Sequence, residues 1–252
     1  IAEDVMVPVM VCYDGYVLSH THMPVEVPDP AAVKSYLPHY VPHTILDPAD
    51  PRNINPVTLA DPRLNAENVL CHGYFELRYL LQEALLRTPE SVEKAGREFG
   101  LLFGREYGIL DRYRCDDADL VMVSMGSLAS EAMDAVDRLR DEGKKIGIIH
   151  LRLYRPFPAE IIAGAVAETG CRGVAVIEKD VSYGYEGALC TDLKAALFDY
   201  GVNVFAHSYI AGLGGRDVKS AELYDALSRS YEYCSKPEGS RRKDQEWLNC
   251  LI

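Results

Sequence analysis

The sequence predicts an α/β fold, a parallel sheet with helices on both faces, preceded by an irregular and helical connector. Three observations carry that expectation. From Asp119 onward, short segments that are apolar throughout alternate with amphipathic ones. Glycines stand where the amphipathic segments should stop, at Gly143, Gly170 and Gly201. Before residue 119 the alternation is missing, and a proline-dense stretch is followed by long helical sequence. Strands that are apolar at every position lack a solvent face, which is the pattern of a parallel sheet covered on both sides. The division that results is a connector at 1–118, an α/β domain at 119–235 and a tail at 236–252.

Each element of the second region has its own reason. "DLVMVSM" (119–125) reads as a buried strand. Gly126 and Ser127 then provide a turn and a helix cap, and "LASEAMDAVDRLRDEG" sets Leu128, Ala132, Val136 and Leu139 on one stripe. "IGIIHLRL" (146–153) is the next strand and "PAEIIAGAVAETG" (158–170) the next helix, with Pro158 suited to a first turn. "GVAVIE" (173–178) and "VNVFAHSYI" (202–210) are strands, and "EGALCTDLKAALFDYG" (186–201) and "DVKSAELYDALSRS" (217–230) are helices. In the first region "DVMVPVMVCYDGYVLSH" (4–20) reads as strand-like with a turn at Asp14-Gly15. The stretch from Pro24 to Pro62 should be extended or turning, and 65–104 helical with a break near Thr88-Pro89.

Composition excludes several functions. The chain has 252 residues, 48% of them hydrophobic, and a formal net charge of −12. That charge argues against non-specific nucleic-acid binding, which needs clustered Lys and Arg. No apolar run approaches the roughly 20 residues of a membrane span. "IAEDVMVPVMV" has neither a basic region nor a cleavage-like site, so it does not read as a signal peptide. An opening on Ile1 inside a strand-like segment raises the expectation that further sequence precedes it. The seven cysteines have a closest spacing of sixteen residues, between Cys234 and Cys250, so no C-x₂-C motif exists. This argues against a zinc ribbon or an iron–sulfur cluster held by this chain alone, and fits reduced thiols in a cytoplasmic protein.

Ligands of open parallel sheets sit beyond the carboxyl ends of the strands. Those ends are "SMGS" (124–127), "RLYRPFP" (152–158), "EKDVSYGYEG" (178–187) and "YIAGLGGRD" (209–217). "GLGGRD" is not a dinucleotide fingerprint and no P-loop lysine follows it. Its glycines permit tight turns, with Arg216 and Asp217 offering an ion pair and a helix cap. Ser124 lies outside any G-x-S-x-G elbow. His20 and His22 would share one face of a strand, while Pro38 and Pro42 make a helical His39/His43 pair improbable, so no metal site is expected. In "LRLYRPFP", Pro156 ends any ladder and fixes a rigid exit that presents Arg152 and Arg155. Each arginine meets either a nearby carboxylate or a partner subunit.

The order "DADLVMVSMGS", "AVDRLRDEGKKIGIIHLRLYRPFP", "GVAVIEKDVSYGYEGAL" and "GLGGRD" closely resembles the alpha chain of 2-oxoacid:ferredoxin oxidoreductases, of which pyruvate:ferredoxin oxidoreductase is the best-known kind. "VPVMVCYDGYVLSH" (7–20) resembles an early motif of that family, with Tyr16 in place of Phe. The resemblance implies a domain like the C-terminal domain of transketolase, following a pyrimidine-binding domain expected before Ile1. It implies thiamine diphosphate with Mg²⁺, and [4Fe-4S] clusters, in a complex with beta and cluster-bearing chains that passes electrons to ferredoxin; none of these cofactors is expected on this chain alone. It places Asp14 and His20 near the substrate pocket and gives Arg152, Arg155, Arg216 and Asp217 interface or structural roles, with no catalytic residue and no metal ligand in this chain. Two other readings stay open: the beta chain of a 2-oxoacid dehydrogenase-like thiamine enzyme, and a stand-alone small-molecule-binding α/β module.

Overall fold

The computed structural model describes residues 1–37, 57–58, 63–64, 70–236 and 245–251. His39 and His43 lie outside the described residues. The described chain divides into two units, residues 1–10 with 24–106, and residues 11–23 with 107–252.

In the first unit, α1 (Ala2–Val5) and α2 (Pro30–Tyr36) are short. α2 falls inside the stretch expected to be extended. It forms because Asp29 Oδ2 accepts from the Ala32 N–H at 3.1 Å and Pro30 occupies the first turn, where its missing N–H costs nothing. β1 (Val57–Thr58) and β2 (Arg63–Leu64) flank β3 (Leu70–Gly73), the first parallel and the second antiparallel to it. The helix expected from residue 65 therefore starts only at α3 (Tyr74–Leu86). Pairing on both sides wins over weak helix formers at 71–73. α4 (Thr88–Phe103) follows, with Pro89 in its first turn and Gly104 closing it at φ 70°. The Ser91 hydroxyl donates to Asp4 at 2.5 Å and the Tyr36 hydroxyl to Glu98 at 3.0 Å, which ties α1 and α2 to α4.

The second unit holds the sheet. Its strands are β4 (Leu110–Tyr113), β5 (Leu120–Met125), β6 (Ile146–Leu151), β7 (Gly173–Glu178), β8 (Phe205–Ile210) and β9 (Glu246–Trp247). Their order is β4-β6-β5-β7-β8-β9, parallel except for β4, which runs antiparallel to β6. The antiparallel edge strand comes from residues assigned in sequence to the connector. Between the strands lie α5 (Ser127–Asp141), α6 (Ala159–Thr169), α7 (Ala188–Asp199) and α8 (Ser220–Ser235). One strand register, Leu120, Met122, Ile146, Ile148, Ala175, Ile177 and Tyr209, forms a buried cluster with α5 and α8. The other register, including Val121, Val123, Ile149, Val174 and Val176, is equally buried, and α6 and α7 pack together. Burial on both faces is why these strands carry no polar alternation.

Two local expectations are corrected. Residues 4–20 form no strand: Leu18–His20 is a turn of 3-10 helix, so His20 and His22 do not alternate on a strand face. Val9, Met10 and Val11 are exposed in spite of their apolar character. Asp217 does not cap α8. The Lys219 N–H donates to Glu222 at 2.9 Å and the Ser220 N–H to Glu131 at 3.1 Å.

Candidate functional site at the carboxyl edge of the sheet

β5 leads through α5 to β6 on one side, while β7 leads through α7 to β8 on the other. The neighbouring carboxyl ends of β5 and β7 are therefore the point where the winding reverses, and a crevice opens there in folds of this kind. Gly126 ends β5 with φ 61° and ψ −145°, a conformation that disfavours any side chain, and α5 starts at Ser127. The sequence expectation of a serine cap is corrected here, because the cap comes from Asp14. Its Oδ2 accepts from the Ser127 N–H at 2.8 Å. A Cβ at Gly126 would stand 2.9 Å from that same oxygen, so glycine also makes the approach possible.

Lys179, the residue after β7, completes the arrangement. Its Nζ donates to Asp14 Oδ1 at 2.6 Å and to Ser127 Oγ at 3.2 Å. The Asp14 side chain is only 18% exposed. Burial alone would raise its pKa, but the hydrogen bonds from Lys179 and Ser127 outweigh that and hold it below the ordinary carboxylate value. The loop after β8 closes the crevice. A Cβ at Gly212 would come within 3.2 Å of Lys179 Cε, and one at Gly215 within 2.8 Å of Tyr16 Cβ. The glycines of "GLGGRD" thus make tight turns at positive φ and also leave room for Lys179 and for the segment that bears Asp14. His20 is exposed and its Nδ1 contacts the Tyr16 carbonyl at 2.7 Å, within its own turn.

A second carboxylate cap stands beside the first. Glu178, the last residue of β7, is 2% exposed. Its Oε2 accepts from the Leu189 N–H at 2.7 Å and its Oε1 from the Cys190 N–H at 3.1 Å, while Asp180 accepts from the Ala188 N–H at 3.3 Å. Burial and then the Asp180 carboxylate push the Glu178 pKa up to about 9. Gly187 gives it space, since a Cβ there would fall 2.0 Å from Glu178 Cδ. Three consecutive residues, Glu178, Lys179 and Asp180, thereby fix the ends of two helices.

Comparison with known proteins places this architecture. Residues 118–223 match the model of pyruvate:ferredoxin oxidoreductase core domain II, and residues 1–84 match that of the thiamine diphosphate-binding domain of pyruvate flavodoxin/ferredoxin oxidoreductase. Pyruvate synthase subunit PorA of Methanothermobacter thermautotrophicus is 40% identical over 228 residues, covering 90% of this chain and 55% of that protein. The chain belongs to the 2-oxoacid:ferredoxin oxidoreductase family, in its alpha-chain branch. PorA of Pyrococcus abyssi is 41% identical, with 98% of this chain and 60% of the relative covered. Ketoisovalerate oxidoreductase subunit VorA of Pyrococcus horikoshii is 36% identical, covering 99% of this chain and 60% of the relative. The chain spans little more than half the length of these relatives.

In this alpha-chain fold the four residues singled out with Asp14 and His20 do not gather in the crevice. Arg152 pairs with Asp111 of β4 and lies over the Tyr107 ring, 5.0 Å from its centroid. Arg155 pairs with Asp192 of α7 at 2.7 Å and stacks over Tyr154 at 4.0 Å from its centroid, 54% exposed. The Tyr154 hydroxyl donates to the same Asp192, and burial followed by that carboxylate pushes its pKa up to about 12. Arg216 donates to the Asn249 carbonyl at 2.5 Å, and Asp217 lies on the loop between the 3-10 turn Leu213–Gly215 and α8. Ser124 donates to the Ile177 carbonyl at 2.6 Å from a buried position. Lys179 and Glu178 were missed in sequence. The signal for them is a run of three charged residues that begins on the last position of a fully buried strand.

Among the described residues, no group of three His, Cys, Asp or Glu side chains is placed to hold a metal ion, and no helix is long and apolar enough to cross a membrane. At the start of α5 the Ser127 N–H is already taken by Asp14. These described residues do not fit a diphosphate–metal group.

Proposed function

We propose that this chain is part of an alpha subunit in a multi-subunit enzyme that oxidatively decarboxylates a 2-oxoacid and passes the electrons to ferredoxin. The single observation that carries the proposal is identity near 40% to pyruvate synthase alpha subunits over 90–98% of this chain. Pyruvate is the default substrate. A branched-chain oxoacid is the alternative with an observation behind it, the likeness to a ketoisovalerate oxidoreductase subunit; 2-oxoglutarate and oxalate belong to the same chemical class. Thiamine diphosphate, when bound with Mg²⁺ in the complex, supplies an electron sink for loss of carbon dioxide, and [4Fe-4S] clusters take the electrons onward.

Within that reading this chain supplies structure. Asp14 and His20 lie near the substrate pocket of the assembled enzyme, and Arg152, Arg155, Arg216 and Asp217 brace contacts at its periphery. The exposed, apolar Val9, Met10, Val11 and Tyr13 support a buried setting for this segment in the assembly. Beta and cluster-bearing chains are the partners, and the cytoplasm, with its reducing conditions, is the compartment that suits free cysteines and clusters.

The test compares the isolated 252 residues with the complex containing the whole alpha subunit. Isolated, the chain should neither bind thiamine diphosphate nor reduce a viologen in the presence of a 2-oxoacid. With its partner chains, the whole subunit should do both. Turnover by the 252 residues alone would place the reactive site in this chain and overturn the structural role.

A further inference from the structure

The crevice between β5 and β7 is where an open α/β sheet ordinarily receives a ligand. A helix N-terminus and a lysine converge there, so negative charge is favoured. In this chain the place is taken by the protein's own carboxylate. We infer that the crevice is the socket of residues 11–23, not a ligand site, and that Asp14 is the positioning residue that seats them.

Four observations support this. Both Asp14 oxygens are engaged, by the Ser127 N–H and by Lys179 Nζ. Gly126 and Gly215 leave no room for a Cβ against the Asp14 and Tyr16 side chains, so the socket is fitted to side chains of this segment at two separate points. The segment buries little else: Val11, Tyr13, Tyr16, Val17, Leu18 and Met23 are all exposed. Within this chain, where the segment has no apolar burial, the polar contacts and the fit at Gly215 must hold it. Finally, the chain passes from the first unit after Met10 and returns to it at Pro24, so these thirteen residues are an excursion into the second unit. A short excursion without a core of its own needs a fixed point, and Asp14 is placed to provide it.

Amide hydrogen exchange in the assembled, whole-length subunit tests the inference, with the amides of β5 and β7 as internal reference. Asp14→Ala should raise exchange across 11–23 about ten-fold, with the reference strands unchanged. Asp14→Asn, which keeps an acceptor for the Ser127 N–H but loses the charge, should give a smaller rise. Lys179→Met combined with Asp14→Ala should be no worse than Asp14→Ala alone. Free acetate should restore protection to Asp14→Ala beyond chloride of equal ionic strength, because it supplies the missing carboxylate. Inorganic phosphate should leave the wild type unchanged. Wild-type exchange in Asp14→Ala, strict additivity with Lys179→Met, failure of acetate, or displacement of 11–23 by phosphate would each overturn the socket. If Asp14→Ala does not accumulate, Asp14→Asn and Lys179→Met carry the same comparison.

Discussion

The N-termini of α5 and α7 stand on either side of the end of β7, and each is capped by a carboxylate, yet the two caps differ in almost every other respect. Asp14 reaches α5 from 113 residues away, faces Lys179 and holds its charge below the usual carboxylate range. Glu178 reaches α7 from eleven residues away, is nearly inaccessible, and keeps its proton up to about pH 9 beside Asp180. The same structural task is done once by an ionised group with a cation and once by a group whose burial favours the neutral form. A helix start accepts either, because its N–H donors need an acceptor first and a charge second.

The largest change should come from filling the space that the buried cap occupies. Gly187→Ala would put a methyl group 2.0 Å from Glu178 Cδ. Backbone movement at the start of α7 should cost about 3 kcal/mol, readable as a lower midpoint in urea at unchanged slope. Asp14→Ala removes the other cap and strands Lys179 beside it. It should cost about 1–2 kcal/mol by the same measurement, less than Gly187→Ala because its site is partly solvated.

The two caps should also respond oppositely to pH. The folded state binds the Glu178 proton more tightly than the unfolded chain does, so that contribution is present below about pH 4.5 and is lost as the pH rises toward about 9. Wild-type stability should therefore fall between neutral and alkaline pH by on the order of 2 kcal/mol from this group, and Glu178→Gln should flatten the fall in melting temperature. Asp14 behaves in the reverse sense. Its folded pKa is depressed, so its contribution is present above the unfolded value near 3.8 and is lost as the pH falls through the folded value. A wild type whose alkaline profile matches that of Glu178→Gln would erase the contrast between the caps. The smallest effect should come from Arg155→Ala, an exposed control whose partner Asp192 is on α7: about 0–1 kcal/mol from that pair.

Much of the second unit was legible because its signals are local. An apolar run such as 173–177 can only be buried on both faces, and Gly143, Gly170 and Gly201 mark helix ends through their positive φ. The segment "VPVMV" has the apolar character of a strand without the pairing: Pro8 cannot donate to a ladder, and Val9, Met10 and Val11 lie exposed while Val7 is buried. Asp14 was singled out through a motif, but its partners could not be read, since no periodicity links residue 14 to residues 127 and 179. Arg155 was legible in part: the proline-stiffened exit implied a held guanidinium, while the identity of Asp192 depended on packing.

The edges of the sheet carry one more consequence. At one flank the final strand is four residues long, reversed in direction, and bears Asp111 and Arg112, each tied into an ion pair with Arg152 or Glu168. At the other, Glu246 and Trp247 lie against Tyr209 and Ile210, and Glu246 is held by Arg229 at 3.2 Å. A strand from another molecule approaching the first flank would meet charges that must be stripped of water, and at the second would find the end of β8 already paired. The sheet is thereby poorly suited to template fibril-like stacking of its own copies, even though its inner strands are among the most apolar segments of the chain.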